Sequence, residues 1–222
     1  MKKFELTTEF ITNVLGKKLF RIKALVEFGS VKAGELGGYA EKEENISQDG
    51  NAWVSGDARV YGNAWVSGDA RVYGDAWVHG NAKVFGNAEV YGDTEVYGDA
   101  LVYGNAKVSD NVRVSDNAKV FGNAEVYGDA EVYGDAEVSD NAEVSGDADY
   151  ALVKEFGTEF RCTTFYRDKN KKIMVNCGCF HGDLEAFRKQ VKETRSGKIA
   201  KEYLMIADLM EYHFTSEDSS DE

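Results

Sequence analysis

Two groups of side chains in this sequence have the types and spacing that chemistry requires. His79 is the sole histidine within a long run of short repeats, where an imidazole could act as a general base near neutral pH. Cys162, Cys177, Cys179 and His181 lie in the C-terminal part of the chain and are the kinds of side chain that bind zinc. These side chains therefore raise two hypotheses, proton transfer and zinc binding, and both depend on the elements that position these groups.

The zinc hypothesis depends on a predicted β-hairpin. In a strand, positions 177, 179 and 181 share one face, and a hairpin turning near Lys169-Asn170 would place Cys162 opposite Cys177. Four ligands could then surround one zinc ion. Zinc sites usually have wider cysteine spacing, and a free cysteine is commonly a small buried hydrophobe, so we favour the absence of a metal. A Cys162–Cys177 disulfide would require an oxidising compartment.

A strict repeat fills residues 50–151 and must position His79. The segment consists of seventeen hexads without insertion, and a period this regular predicts stacked similar units. Each hexad contains a four-residue run such as Ala58-Arg59-Val60-Tyr61, followed by Gly-Asn, Gly-Asp or Asp-Asn, which favour a turn. Because side chains alternate along a strand, alanine and valine are expected to face inward. The variable residue and the following Tyr, Ser or Phe then face outward.

Such a short strand cannot bury its apolar face alone, so the hexads are expected to stack into a solenoid. The repeat resembles the hexapeptide-repeat, left-handed parallel β-helix family, in which an aliphatic residue and a small residue four positions on point inward, as Val54 and Ala58 would. The resemblance implies a mainly β fold with three hexads per triangular coil and about six coils in all.

The outward charges and tryptophans support an 18-residue coil. At this offset six charged pairs have opposite signs and two have like signs, although an offset of 24 does nearly as well. Neighbouring strands lie about 4.8 Å apart, which would allow cation–π contacts between coils. The register pairs a tryptophan with a cation on each of three faces: Trp53/Arg71, Arg59/Trp77 and Trp65/Lys83.

Outward aromatic side chains are the strongest surface signal. Ladder stacking accounts for part of this pattern, but rows this apolar also suggest that at least one face packs against another chain. At the 18-residue offset the ladders are Tyr73/Tyr91, Tyr61/His79/Tyr97 and Phe85/Tyr103/Phe121. The candidate binding residues are Trp53, Arg59, Trp65, Arg71, Trp77, Tyr61, Tyr97, Phe85, Tyr103 and Phe121.

Segments of different composition flank the repeat. Residues 1–49 contain two predicted strands, which we expect to form an N-terminal β cap over the first coil. Residues 152–214 predict a hairpin followed by two helices, the first with Asp183 as its N-cap. This small ββαα module is either a second cap or the functional head. Residues 215–222 are predicted to be a disordered acidic tail.

Composition limits the kinds of partner that the protein can have. The net charge is −13, which argues against direct nucleic-acid binding because protein surfaces that bind nucleic acid are basic. The sequence has no apolar run long enough for a membrane span or a signal peptide, and three cysteines are too few for a disulfide framework. We therefore expect a reduced, cytoplasmic protein without a cofactor.

The flanking segments sharpen the resemblance. LGGYAEKEENISQDGNAWV before the repeat and TTFYRD…CGCFHGDLEAFRKQV after it look like a group of hexapeptide proteins carried by bacteriophages and prophages. That group has no established activity, so the resemblance implies a phage or prophage origin and little about mechanism. We favour a non-enzymatic interaction or scaffold protein in the host cytoplasm. It would bind a second copy of itself, as a dimer or trimer, or a host protein such as a component of host defence.

The alternative is a trimeric CoA-dependent acyltransferase-like enzyme with acyl-CoA as its ligand. Many proteins of the family that the repeat resembles are such enzymes, with a catalytic histidine and commonly a loop extruded from a coil. Here the coils have no extruded loop, and the sequence places no acid clearly beside His79 to orient it. We favour an exposed stacking role for His79, between Tyr61 and Tyr97.

Overall fold

A computed structural model describes residues 2–146, 149–157 and 161–215. Strands β1 (Phe4–Thr12), β2 (Lys18–Ala24) and β3 (Leu36–Ala40) and a short 3-10 helix (Glu43–Asn45) precede the repeat. The hexads supply two-residue strands, each made of the variable residue and its valine: β4 (Trp53–Val54), β5 (Arg59–Val60), β6 (Trp65–Val66), β7 (Arg71–Val72), β8 (Trp77–Val78), β9 (Lys83–Val84), β10 (Glu89–Val90), β11 (Glu95–Val96), β12 (Leu101–Val102), β13 (Lys107–Val108), β14 (Arg113–Val114), β15 (Lys119–Val120), β16 (Glu125–Val126), β17 (Glu131–Val132), β18 (Glu137–Val138) and β19 (Glu143–Val144). The C-terminal elements are β20 (Tyr150–Phe156), β21 (Arg161–Arg167), β22 (Ile173–Cys177), β23 (Phe180–Asp183), α1 (Leu184–Thr194) and α2 (Gly197–Thr215).

The hexad strands stack with the predicted period of 18 residues. Trp53 pairs in parallel with Arg71, and Arg71 pairs with Glu89, so three hexads complete one turn. The repeat therefore forms a parallel β-solenoid of about six turns, which confirms the predicted architecture. Across the described residues its strands fall into a first sheet (β4, β7, β10, β13, β16, β19), a second sheet (β5, β8, β11, β14, β17) and a third sheet (β6, β9, β12, β15, β18).

The core of the solenoid is a column of valine and alanine side chains. The inward valines from Val54 to Val144 are at most 1% exposed, as their invariance in the repeat predicts. Thr94 replaces an alanine in this column and is fully buried, and its Oγ1 donates a hydrogen bond to the carbonyl of Tyr91 at 2.6 Å. That bond offsets the cost of burying a hydroxyl group.

The N-terminal strands close the first end of the solenoid. Strands β1 and β2 form an antiparallel hairpin, β2 pairs with β3, and β3 joins the second sheet beside β5. Phe4 and Ile22 are fully buried against the valine column. Ala40 pairs with Val60 and Ile46 bridges to Val66, so the first turn begins before the hexads and is two residues longer than the others.

Two polar side chains complete this end of the solenoid. In the solenoid many backbone N–H groups donate to a carbonyl of the following turn, so these carbonyl groups point toward the preceding turn. Carbonyl groups of this kind in the first hexads have no preceding hexad to supply a donor. Lys3 Nζ donates to the carbonyl oxygens of Gly50 at 3.3 Å and Ala52 at 2.9 Å. Asn45 Nδ2 makes the same kind of bond to the carbonyl of Ala64 at 2.8 Å. Because an unpaired buried carbonyl costs about 1–3 kcal/mol, Lys3 and Asn45 act as caps.

We expect Lys3→Met to lower the free energy of unfolding by about 2 kcal/mol, because two carbonyl groups lose their donor. Burial lowers the pKa of Lys3 to about 8, whereas the unfolded chain has the ordinary lysine pKa of about 10.4. The unfolded state binds more protons between these values, so stability of the wild-type protein rises with pH across this interval. Lys3→Met lacks that contribution.

Urea denaturation at pH 7.5 and pH 9.5 measures both effects. Lys23→Met is the matched control, because Lys23 is exposed, and it should change neither the midpoint nor its pH dependence. A Lys3→Met midpoint equal to that of the wild type would show that Lys3 is not a cap.

The C-terminal module differs from the predicted ββαα arrangement. Its antiparallel sheet has the order β20-β21-β22-β23, so a strand flanks the predicted hairpin on each side. Strand β20 begins at Tyr150 and crosses the predicted boundary between residues 151 and 152. Helix α1 follows Asp183 as predicted, and Asp183 Oδ1 accepts a hydrogen bond from the backbone N of Ala186 at 2.7 Å. Neither α1 nor α2 has the length and apolar character that spanning a membrane requires.

The module covers the last turn of the solenoid. Tyr166 is fully buried in the same cluster as the valine column. Thr164 Oγ1 accepts a hydrogen bond from the backbone N of Glu137 at 3.0 Å. Asn176 Nδ2 donates to the backbone carbonyl of Glu137 at 2.8 Å. The opposite face of the sheet, which includes Phe165, packs against α1 and α2.

The predicted acidic tail falls almost entirely beyond the residues that the structure describes. Thr215, assigned to the tail from the sequence, is the last residue of α2. Residues 216–222 lie outside the described part of the chain.

Candidate functional site

The predicted aromatic ladders are present on the outward faces of the solenoid. Phe85, Tyr103 and Phe121 stack with ring centroids 4.9 and 5.0 Å apart and with nearly parallel planes. Tyr73 and Tyr91 stack at 4.8 Å. These distances match the spacing of neighbouring strands, so the ladders are a direct consequence of the 18-residue register. Each stacked pair contributes about 0.5–1.5 kcal/mol.

The tryptophans of the repeat lie in three different environments. Trp53 is only 6% exposed because Phe28 of the N-terminal segment packs on it, with ring centroids 5.4 Å apart. Its predicted place on the open surface is therefore wrong. Trp77 lies under the guanidinium of Arg59 at 4.9 Å, the one predicted tryptophan–cation contact found in the described residues. Trp65 is 42% exposed and is available to a partner.

Outward charges neutralise one another between coils. After Phe121 the repeat contains no basic residue, yet cations of the preceding coil and of the C-terminal module lie beside its acidic side chains. Single exposed pairs of this kind contribute little stability, but they offset part of the negative charge of the last coils. The pairs are Lys107–Glu125 (3.5 Å), Arg113–Glu131 (3.0 Å), Lys119–Glu137 (2.7 Å), Lys154–Asp135 (2.7 Å) and Arg167–Asp149 (3.6 Å).

His79 lies between two tyrosines, as the sequence predicts. Its ring centroid is 4.8 Å from that of Tyr61 and 5.3 Å from that of Tyr97, and the rings are nearly parallel. Its Nε2 atom lies 2.9 Å from Oε1 of Glu95. The expectation that no acid orients His79 is therefore wrong, because the next coil supplies Glu95.

The contact between His79 and Glu95 is one case of a repeated geometry. Tyr73 donates its hydroxyl hydrogen to Glu89 at 3.2 Å, and Tyr127 donates to Glu143 at 2.8 Å. In each case the glutamate follows the aromatic residue by 16 positions. Because tyrosines make the same contact, the position of His79 fits a structural role in the ladder.

We expect His79→Ala to lower the free energy of unfolding by about 1–2 kcal/mol, because it removes two stacking contacts. His79→Tyr should keep the wild-type stability, since Tyr73 fills an equivalent position and meets a glutamate in the same way. Thermal unfolding of both variants measures this difference. An acetyl-CoA-dependent acyl transfer that His79→Tyr abolishes would instead establish the enzyme alternative.

The hairpin register separates two of the candidate zinc ligands. Thr163, not Cys162, lies opposite Cys177. A shift of one residue moves a side chain to the other face of a sheet, so Cys162 faces the solenoid whereas Cys177 faces the helices. Burial also raises the pKa of the Cys162 thiol to about 11, which disfavours the thiolate that a metal requires.

A second turn separates the remaining candidate ligands. Cys179 lies in the two-residue connection between β22 and β23, so positions 177–181 are not one continuous strand. His181 pairs with Asn176 instead of sharing a face with Cys177. In the described ranges no group of three or more His, Cys, Asp or Glu side chains is placed to hold a metal ion, and the four candidate zinc ligands do not come together.

Comparison with known proteins bears on the repeat. A family model described as YdcK Beta solenoid repeat matches residues 52–68 and 64–80. The hexads are a β-solenoid repeat. No curated protein matches the chain. The matched segment contains Trp53, Trp65 and Trp77 and neither flank, so it carries no information on activity, partner or phage origin.

Proposed function

We propose that this protein is a non-enzymatic scaffold that binds a protein partner through the outward side of the third sheet. We call this side the phenylalanine face and define it by Trp65, Phe85, Leu101, Tyr103 and Phe121. The observation that carries the proposal is the 42% exposure of Trp65 on a face whose ladder begins and ends with phenylalanine. Phe85 and Phe121 have no hydrogen-bonding group to offer water, so an outward row in which they flank Tyr103 favours contact with another chain.

The other two faces are less suited to an apolar contact. On the first sheet the N-terminal segment already buries Trp53. On the second sheet the ladder consists of tyrosine and histidine, and Glu95 occupies the polar edge of His79. The phenylalanine face instead carries Leu101, the one aliphatic residue in a variable position of the repeat. Leu101 lies between Lys83 and Lys119 in the sheet, which supplies the polar border typical of an interface.

The caps support a lateral mode of binding. Phe4 and Ile22 close one end of the valine column, and Tyr166 closes the other. Stacking of two solenoids end to end is therefore blocked, and the long side faces remain for a partner. The phage or prophage origin implied by the flanking sequences would make that partner a host protein, for which a component of host defence is the example we favour. A second copy of the chain is the other candidate.

Photo-crosslinking tests the phenylalanine face directly. We would place p-benzoylphenylalanine at Leu101 and, as the matched control, at Lys107, which is outward and exposed in the next hexad, on the first sheet. Irradiation in the natural host should give a crosslinked species at position 101 and none at 107. Its mass distinguishes a second copy from a host protein.

A charge variant gives an independent measurement. Leu101→Glu should abolish that complex without lowering the thermal midpoint, because Leu101 is only partly buried and a carboxylate there would lie between Lys83 and Lys119. A monomer by light scattering that gives no crosslink at position 101 would overturn the proposal.

A further inference from the structure

The aromatic ladder of the second sheet lacks one ring. Its outward positions on successive turns are Tyr61, His79, Tyr97, Ser115 and Tyr133, since Val96 pairs with Val114 and Val114 with Val132. Ser115 has no ring, and a notch of about 320 Å³ opens on the surface at this place. The notch is lined by Tyr97, Arg113, Ser115, Asp116, Glu131 and Tyr133.

The notch has room for one planar ring. In the filled part of the same ladder, the ring of His79 lies 4.8 Å from Tyr61 and 5.3 Å from Tyr97. Tyr97 and Tyr133 are likewise two turns apart, with Ser115 in the place that His79 fills. Tyr133 is 50% exposed, more than the other ladder aromatics of the described chain, and it has no stacked ring in this ladder but meets Tyr150 edge to face at 6.3 Å.

Glu131 supplies a hydrogen-bond acceptor at the edge of the notch. In the filled rung, His79 meets Glu95, which follows it by 16 positions. The residue 16 positions after Ser115 is Glu131, whose Oε1 accepts a hydrogen bond from Arg113 Nη1 at 3.0 Å. A ring with an N–H or O–H group at its edge would meet Glu131 as His79 meets Glu95. The notch therefore favours a phenol, indole or imidazole over an unsubstituted phenyl ring.

We propose that this notch binds a tyrosine, tryptophan or histidine side chain of a partner protein, inserted between Tyr97 and Tyr133 with its donor group toward Glu131. The proposal rests on the proposed function in taking a protein as the partner. A nucleobase has a similar planar shape, but the one cation of the notch, Arg113, is already paired with Glu131, Asp116 adds a further negative charge, and the chain carries a net charge of −13. These charges repel the phosphate that accompanies a base.

Nuclear magnetic resonance titration of the full chain with p-cresol, the tyrosine ring, tests the notch. We expect saturable shifts of the backbone amides of Tyr97, Ser115 and Tyr133, with binding about ten-fold tighter than for toluene because of one charge-assisted hydrogen bond. In Glu131→Gln the affinity for p-cresol should fall toward the affinity for toluene. The absence of saturable shifts at these amides in the wild type would overturn the proposal.

A filling variant separates the notch from the rest of the surface. Ser115→Tyr should complete the ladder, raise the thermal midpoint and abolish p-cresol binding. Ser67→Tyr, which adds a ring at an outward position of the third sheet, is the matched control and should leave binding unchanged. Unchanged p-cresol binding in Ser115→Tyr would mean that p-cresol binds elsewhere and would overturn the proposal of a binding notch.

Two further readouts identify the partner class and separate the two proposals. Adenosine monophosphate should bind at least ten-fold more weakly than p-cresol, and equal, notch-dependent binding would overturn the assignment to a protein side chain. Crosslinking at Leu101 does not involve the second sheet. Failure of the notch therefore leaves the phenylalanine face standing, and failure of that face leaves p-cresol binding as a separate result.

Discussion

Gly92→Ala should lower the free energy of unfolding by about 3 kcal/mol, because the new methyl group meets the backbone of the next turn. Gly92 has a φ of 73°, in the left-handed region that strains residues with a Cβ atom. A Cβ at this position would lie 2.8 Å from the backbone N of Asp110 and 3.1 Å from its Cα. The carbonyl of Gly92 also accepts a hydrogen bond from the backbone N of Asp75 at 3.0 Å. Because Gly92 is held by the turn below and faces the turn above, the contact can be relieved only by a shift between turns. Asp110 and Asp116 also require this adjustment, since they carry a Cβ at φ of 63° and 58° in equivalent corner positions.

Gly34→Ala is the matched control for this effect. Gly34 has a φ of 87°, and a Cβ built there meets no atom within 4 Å. Its alanine variant should therefore lose about 1 kcal/mol from backbone conformation alone. Urea denaturation of both variants isolates the contact between turns as the difference between them. Equal losses would mean that the solenoid adjusts its spacing at little cost at this position.

The body of the solenoid could be predicted because each level of its pattern agrees with the others. Valine recurs every six residues and never faces water, so the inward side of each strand is unambiguous. The 18-residue register then places Tyr61, His79 and Tyr97 in one ladder without knowledge of any other part of the chain. In a repeat protein each repeat contacts only its neighbours, so a six-residue pattern was sufficient to predict the solenoid and its ladders.

The ends of the solenoid could not be predicted in the same way. Trp53 obeys the outward pattern of the repeat, but the N-terminal segment folds back and Phe28 covers it. Lys3 and Asn45 look like ordinary polar residues in the sequence, and their roles depend on carbonyl groups that only the folded first turn presents. The sequence indicated that the N-terminal segment covers the first coil, but its local pattern does not specify which of its residues make the contacts.

The zinc hypothesis failed because a one-residue difference in register changes the face of a sheet. The predicted hairpin placed Cys162 opposite Cys177, whereas Thr163 occupies that position. The pairing of His79 with Glu95, by contrast, had a signal in the sequence. The signal is a glutamate 16 positions after an aromatic residue that has a polar ring atom or hydroxyl group. Tyr73 and Tyr127 show the same spacing and make the same contact as His79.

Tyr166→Ala should lower the free energy of unfolding by about 4 kcal/mol, because it removes a fully buried ring from the junction between the solenoid and the C-terminal sheet. The hydroxyl of Tyr166 lies 3.1 Å from Oγ of Ser139, which belongs to the last turn. Loss of the ring loosens the cap and exposes the end of the valine column. Terminal repeats of a solenoid need such a cover, so self-association should accompany the loss of stability. Denaturation and light scattering of the variant measure the two effects.

Tyr166→Phe separates the ring from the hydroxyl group and should lose only about 1 kcal/mol at neutral pH. Burial raises the pKa of Tyr166 to about 12, whereas an unfolded chain ionises its tyrosines near pH 10. The folded state therefore binds more protons between these values, and stability of the wild-type protein falls as pH rises through this interval. Tyr166→Phe lacks this contribution, so its deficit relative to the wild type should narrow above pH 10. A Tyr166→Ala variant that keeps the stability of the wild type and stays monomeric would mean that the C-terminal module does not stabilise the solenoid and serves instead as its functional head.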